Sequence, residues 1–232
     1  MLKMLLARLR QGRRTMAFPP RIPRHEVLPV RFRGRPVSTE AGGDRAVIDL
    51  GASLFSPEES AGGAGAVFGR DYAMAARTRE GLRVGAGEVE LARALERETR
   101  RLFGRSLRLR SVAAGSCNGC EAELVALGNI VFDLARFGVQ FVASPRHADG
   151  LVVTGAVSRN MQEALAKTYD AMSDPRLVLA VGSCALSGGP FSGSPEVLGG
   201  VPPEIPVDLY VPGCPPHPLT LLDGLLRLLG RL

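Results

Sequence analysis

The stretch Leu177-Val178-Leu179-Ala180-Val181-Gly182-Ser183-Cys184 sets the reading of the fold. Its first five residues are apolar and partly β-branched, which reads as a strand, and the strand ends at a glycine turn that delivers a cysteine. The pattern recurs at 207–211, a second strand that ends at Gly213-Cys214. Working outward, 107–113, 139–143 and 151–154 read as further strands. Between them, 121–137 is predicted as a helix with Leu124, Leu127, Val131 and Leu134 toward a core. Helices are also predicted at 160–172 and, after Pro218, at 219–229. Strands alternating with helices imply an α/β fold with a parallel, doubly wound sheet. In such sheets, sites form at the carboxyl ends of strands. Cys184 and Cys214 follow strands, and Cys117-x-x-Cys120 lies between a strand and a helix. All four are therefore expected to meet at one edge of the sheet.

These are the only cysteines among 232 residues. Each sits in a glycine-containing turn. Four thiolates are the ligand set of one iron–sulfur cluster or one structural zinc. Zinc knuckles usually pair two short C-x-x-C hairpins, whereas here a single pair is joined by two cysteines from separate strand ends. Cysteines on separate loops, the last followed by Pro215, suit a buried cluster; zinc and unrelated thiols stay open as alternatives on spacing alone.

Charge is uneven along the chain. Residues 1–36 carry ten Lys/Arg against Glu26 alone, net +9, while the remainder carries 19 basic and 22 acidic residues, net −3. The basic character belongs to an N-terminal arm. Aromatic residues are scarce and no nucleic-acid-binding motif appears, which argues against nucleic acid. An anionic membrane surface or an acidic partner subunit fits the arm. Residues 1–14 alternate Leu and Met with bases, as in an amphipathic surface helix or a basic helix packed on a partner. They lack the features of a secretory signal, so a cytosolic setting is expected, where structural disulfides are uncommon. No apolar run is long enough for a transmembrane span. Residues 15–47 read as a Pro- and Arg-rich extended arm, 48–86 as glycine-rich and low in information, and 87–103 as a helix with Leu91, Leu95 and Leu102 on one face, ended by Gly104.

Four ordered motifs carry a resemblance: 115–121 (GSCNGCE), 148–157 (ADGLVVTGAV), 182–184 (GSC) and 211–216 (VPGCPP). Together they resemble the small, electron-transferring subunit of membrane-bound group 4 [NiFe] hydrogenases of the formate hydrogenlyase type. The homologous 20 kDa-type (B) subunit of respiratory complex I is similar. The resemblance covers 107–232 and implies a flavodoxin-like fold in which Cys117, Cys120, Cys184 and Cys214 hold one [4Fe-4S] cluster. It also implies a large-subunit partner, a peripheral position at the cytoplasmic face of the inner membrane, and electron transfer rather than bond chemistry by this chain alone. The Cys-x-x-Cys spacing resembles the hydrogenase branch, since complex I subunits have adjacent cysteines there. A complex I-like quinone oxidoreductase subunit is the second enzyme reading, and a zinc-stabilised scaffold the non-enzyme one.

Residues 1–20, 31–36 (RFRGRP), 49–55 (DLGASLF) and 70–75 (RDYAMA) carry a second resemblance: the N-terminal part, about 1–85, is similar to the two-cluster ferredoxin subunit of the same complexes. There the cluster cysteines are expected near Ser53, Ser56, Glu59 and Gly63, and none is present. The expected organisation is a cluster-less ferredoxin-like or irregular module at 1–86, a helix and linker at 87–106, and the cluster domain at 107–232. The front module would dock on membrane subunits through its basic arm and conduct no electrons. Glu121 is a candidate proton relay beside the site, with Glu123 the weaker one; both also suit the first turn of a helix. Asn118 and Gly119 shape the first cysteine loop, and Gly188-Gly189 would wrap the site behind Cys184. His147 and His217 are assigned to surface or loop, and His25 to the arm.

Overall fold

The computed structural model describes residues 15–18, 28–38, 48–56, 66–84, 91, 101, 103 and 106–232. Two short antiparallel ladders come first: β1 (Pro36–Ser38) pairs with β3 (Ala66–Phe68), and β2 (Ile48–Asp49) with β4 (Arg83–Val84). The alternating part follows as β5 (Leu107–Ala113), α1 (Gly119–Ala126), β6 (Val139–Phe141), β7 (Gly150–Thr154), α2 (Arg159–Asp170), β8 (Leu177–Val181), α3 (Ser183–Ser187), β9 (Leu209–Val211) and α4 (Pro218–Leu228). The five strands form one parallel sheet in the order β6-β5-β7-β8-β9. Second-first-third-fourth-fifth is the flavodoxin-like order, and its direction reverses beside β5. The predicted α/β fold is therefore the observed one.

Every residue of β7 and β8 is buried, as expected for parallel strands covered on both faces. On one face Leu109, Val152, Leu179 and Leu209 pack against Leu124, Leu127, Leu221 and Leu225 of α1, its C-cap and α4. On the other, Leu151, Val153 and Val178 pack against Leu165 of α2 and against Met172. Beneath Ala180 the cover comes from the N-terminal part of the chain, where Leu50, Phe55, Met74, Leu82 and Val84 join Ala185 and Leu186 in one cluster. Residues 48–84 thus share a core with the sheet wherever they are described.

The closing helix α4 shows what this covering demands. His217 caps it, its Nδ1 accepting the Leu219 N–H at 3.2 Å, and Pro218 starts the first turn with a preset φ. Leu28 and Tyr72 pack on Leu219, and a methyl added at Gly224 would lie 2.6 Å from the Ala75 side chain. Almost the whole helix is therefore out of water, and its carboxylate needs a partner. Asp223, 3% exposed, accepts from Arg227 Nε one turn on at 2.8 Å.

Two expectations are corrected. The helix predicted at 121–137 stops at Ala126 and resumes only as a 3-10 turn at Leu134–Phe137. Asn129 breaks it: its Oδ1 accepts the N–H groups of Val131 at 2.8 Å and Phe132 at 3.2 Å, offering the backbone an alternative to the helical ladder. Asp133 then takes a left-handed φ of 47°. Leu124, Leu127 and Leu134 still reach the core, but Val131 is exposed. His217 lies in a loop, as expected, but not on the surface. It is partly buried between Phe32 and Phe132, at ring distances of 5.5 and 6.1 Å, and burial pushes its pKa down to about 4. His147 is exposed, as expected. The predicted helix at 1–14, His25 and most of the helix at 87–103 lie outside the described residues, although Phe103 is buried in the main core and Leu91 is partly buried.

Candidate metal centre

The four cysteines arrive on three loops. In the first, β5 gives way to Gly115, at φ 83°, and Asn118, at φ 69°, which N-caps α1. That turn leaves Cys117 exposed and buries Cys120 in the first turn of the helix. In the second, β8 ends at Gly182, with φ 86° and ψ 151°, and the five-residue α3 carries Cys184, which is buried. In the third, β9 runs through Gly213, at φ 144°, to Cys214, which is exposed.

Close approaches at glycines show that these loops meet. A Cβ built on Gly182 would stand 2.4 Å from Cys120 Sγ, so the second loop lies against the first. A Cβ on Gly119 would stand 3.5 Å from Cys117 Sγ and 3.7 Å from the Pro215 side chain, so the first lies against the third. Second and third are tied by backbone hydrogen bonds, from Gly182 N–H to Val211 O at 2.9 Å and from Ser183 N–H to Gly213 O at 3.0 Å. Of the two glycines expected to wrap the site, Gly189 approaches it, its added Cβ falling 2.9 Å from Cys184 Sγ at φ 51°, whereas Gly188 packs against Gly199 and Ser192.

Electrostatics tells the same story. Burial pushes the Cys120 thiol up to about 12, and the Glu121 carboxylate and the other three cysteines push the same way. Cys184 is raised too, by burial first and then by Cys214 and Cys117. Cys120 and Cys184 are thus each raised by neighbouring cysteines, and none of the four is in a disulfide. Bringing four thiolates together here demands compensating positive charge, which a metal centre supplies while deprotonating its ligands. Among the described residues, no three His, Cys, Asp or Glu side chains gather tightly enough to hold a single metal ion.

Glu121 leads back toward the sheet. Its Oε1 accepts the hydroxyl of Thr154, the last residue of β7, while its Oε2 is buried with no hydrogen-bond partner. Thr154 escaped the sequence reading because a threonine closing an apolar strand looks like any strand residue. Burial raises the pKa of Glu123. Of the four positions where the resemblance led one to expect cysteines, Ser53 and Ser56 are described and Glu59 and Gly63 are not.

A protein-family model, "NADH ubiquinone oxidoreductase, 20 Kd subunit", matches residues 117–228, from the first cysteine to the last turn of α4. A probable membrane-bound hydrogenase subunit of Pyrococcus furiosus is 42% identical over 132 residues, covering 57% of this chain and 79% of that one. The chain belongs to this family.

Formate hydrogenlyase subunit 7 of Escherichia coli is 44% identical over 128 residues, 55% of this chain and 50% of that protein. The B-type subunit of NADH-quinone oxidoreductase from Phocaeicola vulgatus is 49% identical over 116 residues, 50% of this chain. The chain spans 58%, 65% and 59% of the length of three such B-type subunits. Among solved structures, a chain of the membrane-bound sulfane sulfur reductase, an archaeal respiratory membrane complex, superposes with a TM-score of 0.51 at 32% identity, over 59% of this chain and 75% of that one. No helix among the described residues is long and apolar enough to cross a membrane.

Proposed function

We propose that this chain is the electron-transfer subunit of a membrane-bound, hydrogenase-like complex, with one [4Fe-4S] cluster held by Cys117, Cys120, Cys184 and Cys214. The observation that carries the reading is four cysteines, none in a disulfide, converging from three loops at the carboxyl edge of a parallel sheet. Two single cysteines from separate strand ends joining one Cys-x-x-Cys pair suit a cluster better than a zinc knuckle, which pairs two short hairpins. When bound, the cluster supplies electron uptake and release; the protein supplies the cage and its dielectric. Cys120 and Cys184 form the buried inner wall, and Cys117 and Cys214 form the outer rim.

The cluster domain is 107–232, with 87–106 as its linker. Residues 1–86 act as a docking adaptor: its basic arm contacts membrane subunits at the cytoplasmic face, and its serines take no part in electron transfer. A large subunit of the hydrogenase or complex I type is the redox partner. The Cys-x-x-Cys spacing supports the hydrogenase branch. A complex I-like quinone reductase is the second reading, favoured by B-type subunits at up to 53% identity.

Iron and acid-labile sulfide analysis of the anaerobically purified chain tests this. About four irons per chain and a brown protein are expected for a single cluster. A colourless chain with one zinc overturns the reading, and about eight irons overturns the electron-silent adaptor.

Glu121 is the proposed proton relay, supported by its place beside Cys120 and its unpartnered buried oxygen. Glu121→Gln in the assembled complex is expected to slow hydrogen–proton exchange by roughly two orders of magnitude while leaving the iron content unchanged. Unchanged turnover removes that role.

A further inference from the structure

The hydroxyl of Ser183 joins parts of the chain that lie far apart in sequence. Ser183 is 1% exposed. Its Oγ donates to the carbonyl of Ser53 at 2.5 Å, with Gly213 O as a second acceptor at 3.3 Å. One turn on, Ser187 Oγ donates to Gly51 O at 2.9 Å. Both serines lie on α3, with Cys184 between them in sequence. That helix has five residues and is bounded by two glycines at positive φ. A single turn of helix has little stability of its own, so its placement is set by what it is packed and bonded to.

The loop it is bonded to is held in turn. The Asp49 carboxylate accepts both Arg79 nitrogens, at 2.5 and 2.8 Å, and the Gly51 N–H at 2.9 Å. Ser53 Oγ accepts the Phe55 N–H at 3.0 Å, and Leu50 and Phe55 pack with Ala185 and Leu186 of α3. A chain of fixed contacts therefore runs from Arg79 through Asp49 and the 51–55 loop to Ser183, the neighbour of Cys184.

We propose that Ser183 is a positioning residue for Cys184, and that residues 49–55 act through it as an in-chain brace for the metal centre. This rests on the reading of Cys184 as a cluster ligand. The brace gives the N-terminal part a task at the site that needs no thiol: it holds one wall of the cage in register with the other two. Groups that orient a ligand without touching the metal commonly tune both its retention and its electronics.

The test compares the full-length wild type with Ser183→Ala, Ser187→Ala and Arg79→Gln, all purified anaerobically. The readouts are iron release to a chelator, the EPR spectrum of the reduced protein and its midpoint potential. Ser183→Ala is expected to release iron about tenfold faster, with a changed EPR spectrum and a shifted potential. Arg79→Gln and Ser187→Ala are expected to move all three readouts in the same direction by less. If Ser183→Ala does not fold, these two carry the test. Variants that lose thermal stability but keep the wild-type spectrum, potential and release rate overturn the brace and leave Ser183 an ordinary structural hydrogen bond. A wild type without iron instead overturns the cluster reading, and the brace with it.

Discussion

Cys120→Ala is expected to strip the purified chain of its iron and its visible colour. Cys120 is the most enclosed of the four thiols: it is buried, it sits against Gly182, and its pKa is pushed up to about 12 by burial and by the surrounding negative groups. A thiol so reluctant to ionise alone becomes a thiolate only where metal charge compensates it. Alanine removes the ligand without adding bulk or charge, so the apolar contacts of α1 can persist. Iron retention is expected to fall by at least about tenfold, since the four-thiolate cage loses one fixed corner and keeps three. The Tm should fall too, because a group bound only by the folded state stabilises it through linkage. Cys117→Ala, at the exposed rim, is the informative companion: the same loss of iron with a smaller loss of stability before loading. Four irons and an unchanged EPR spectrum in Cys120→Ala would remove Cys120 from the ligand set.

Gly182→Ala should have a comparable effect through backbone and sterics alone. Gly182 sits at φ 86° and ψ 151°, a region open essentially only to glycine. An added Cβ there also lies 2.4 Å from Cys120 Sγ, a contact that real Cβ atoms do not make. Strain and overlap together are expected to cost roughly 3 kcal/mol or more and to block cluster assembly. Gly193→Ala separates the two terms. Its φ is 82°, but nothing lies within 4 Å of the added methyl. That variant should lose about 1 kcal/mol, a few degrees of Tm in a chain of this size, with iron content intact. Equal Tm losses in the two variants, with full iron in both, would show that the approach of Gly182 to Cys120 does not matter.

The strands were readable because their signal is local. Leu177–Val181 follows its apolar run residue for residue, and Leu107–Ala113 keeps its predicted bounds with buried Leu107 and Leu109 alternating with Arg108 and Arg110. The cysteines' convergence was also readable, because strand–helix alternation allows few topologies and each of them puts those loops at one edge. The helix after Cys120 is shorter than its apolar periodicity implies, since that periodicity carries no trace of the Asn129 side chain that ends it. Ser183 and Ser53 were unreadable for another reason. They are 130 residues apart, and their bond depends on how the front of the chain wraps the sheet. His217 is the loop residue it looked like, but its burial was unreadable because its two aromatic neighbours, distant in sequence, close around it.

One contact on the far side of the sheet has a consequence for assembly. Ala76 and Tyr210 exchange both backbone hydrogen bonds, N–H to carbonyl at 3.0 Å and back at 2.8 Å. Tyr210 is the middle residue of the three-residue β9, and the Val211 carbonyl turns inward to Gly182. The outward-pointing groups of that border are therefore already spoken for by the chain itself. Only the opposite border, at β6, presents a strand without a lateral neighbour among the described residues, and Gln140 and Phe141 are exposed there. At Tyr210 the pairing with Ala76 thereby occupies the backbone groups that a foreign strand would need to extend the sheet past β9.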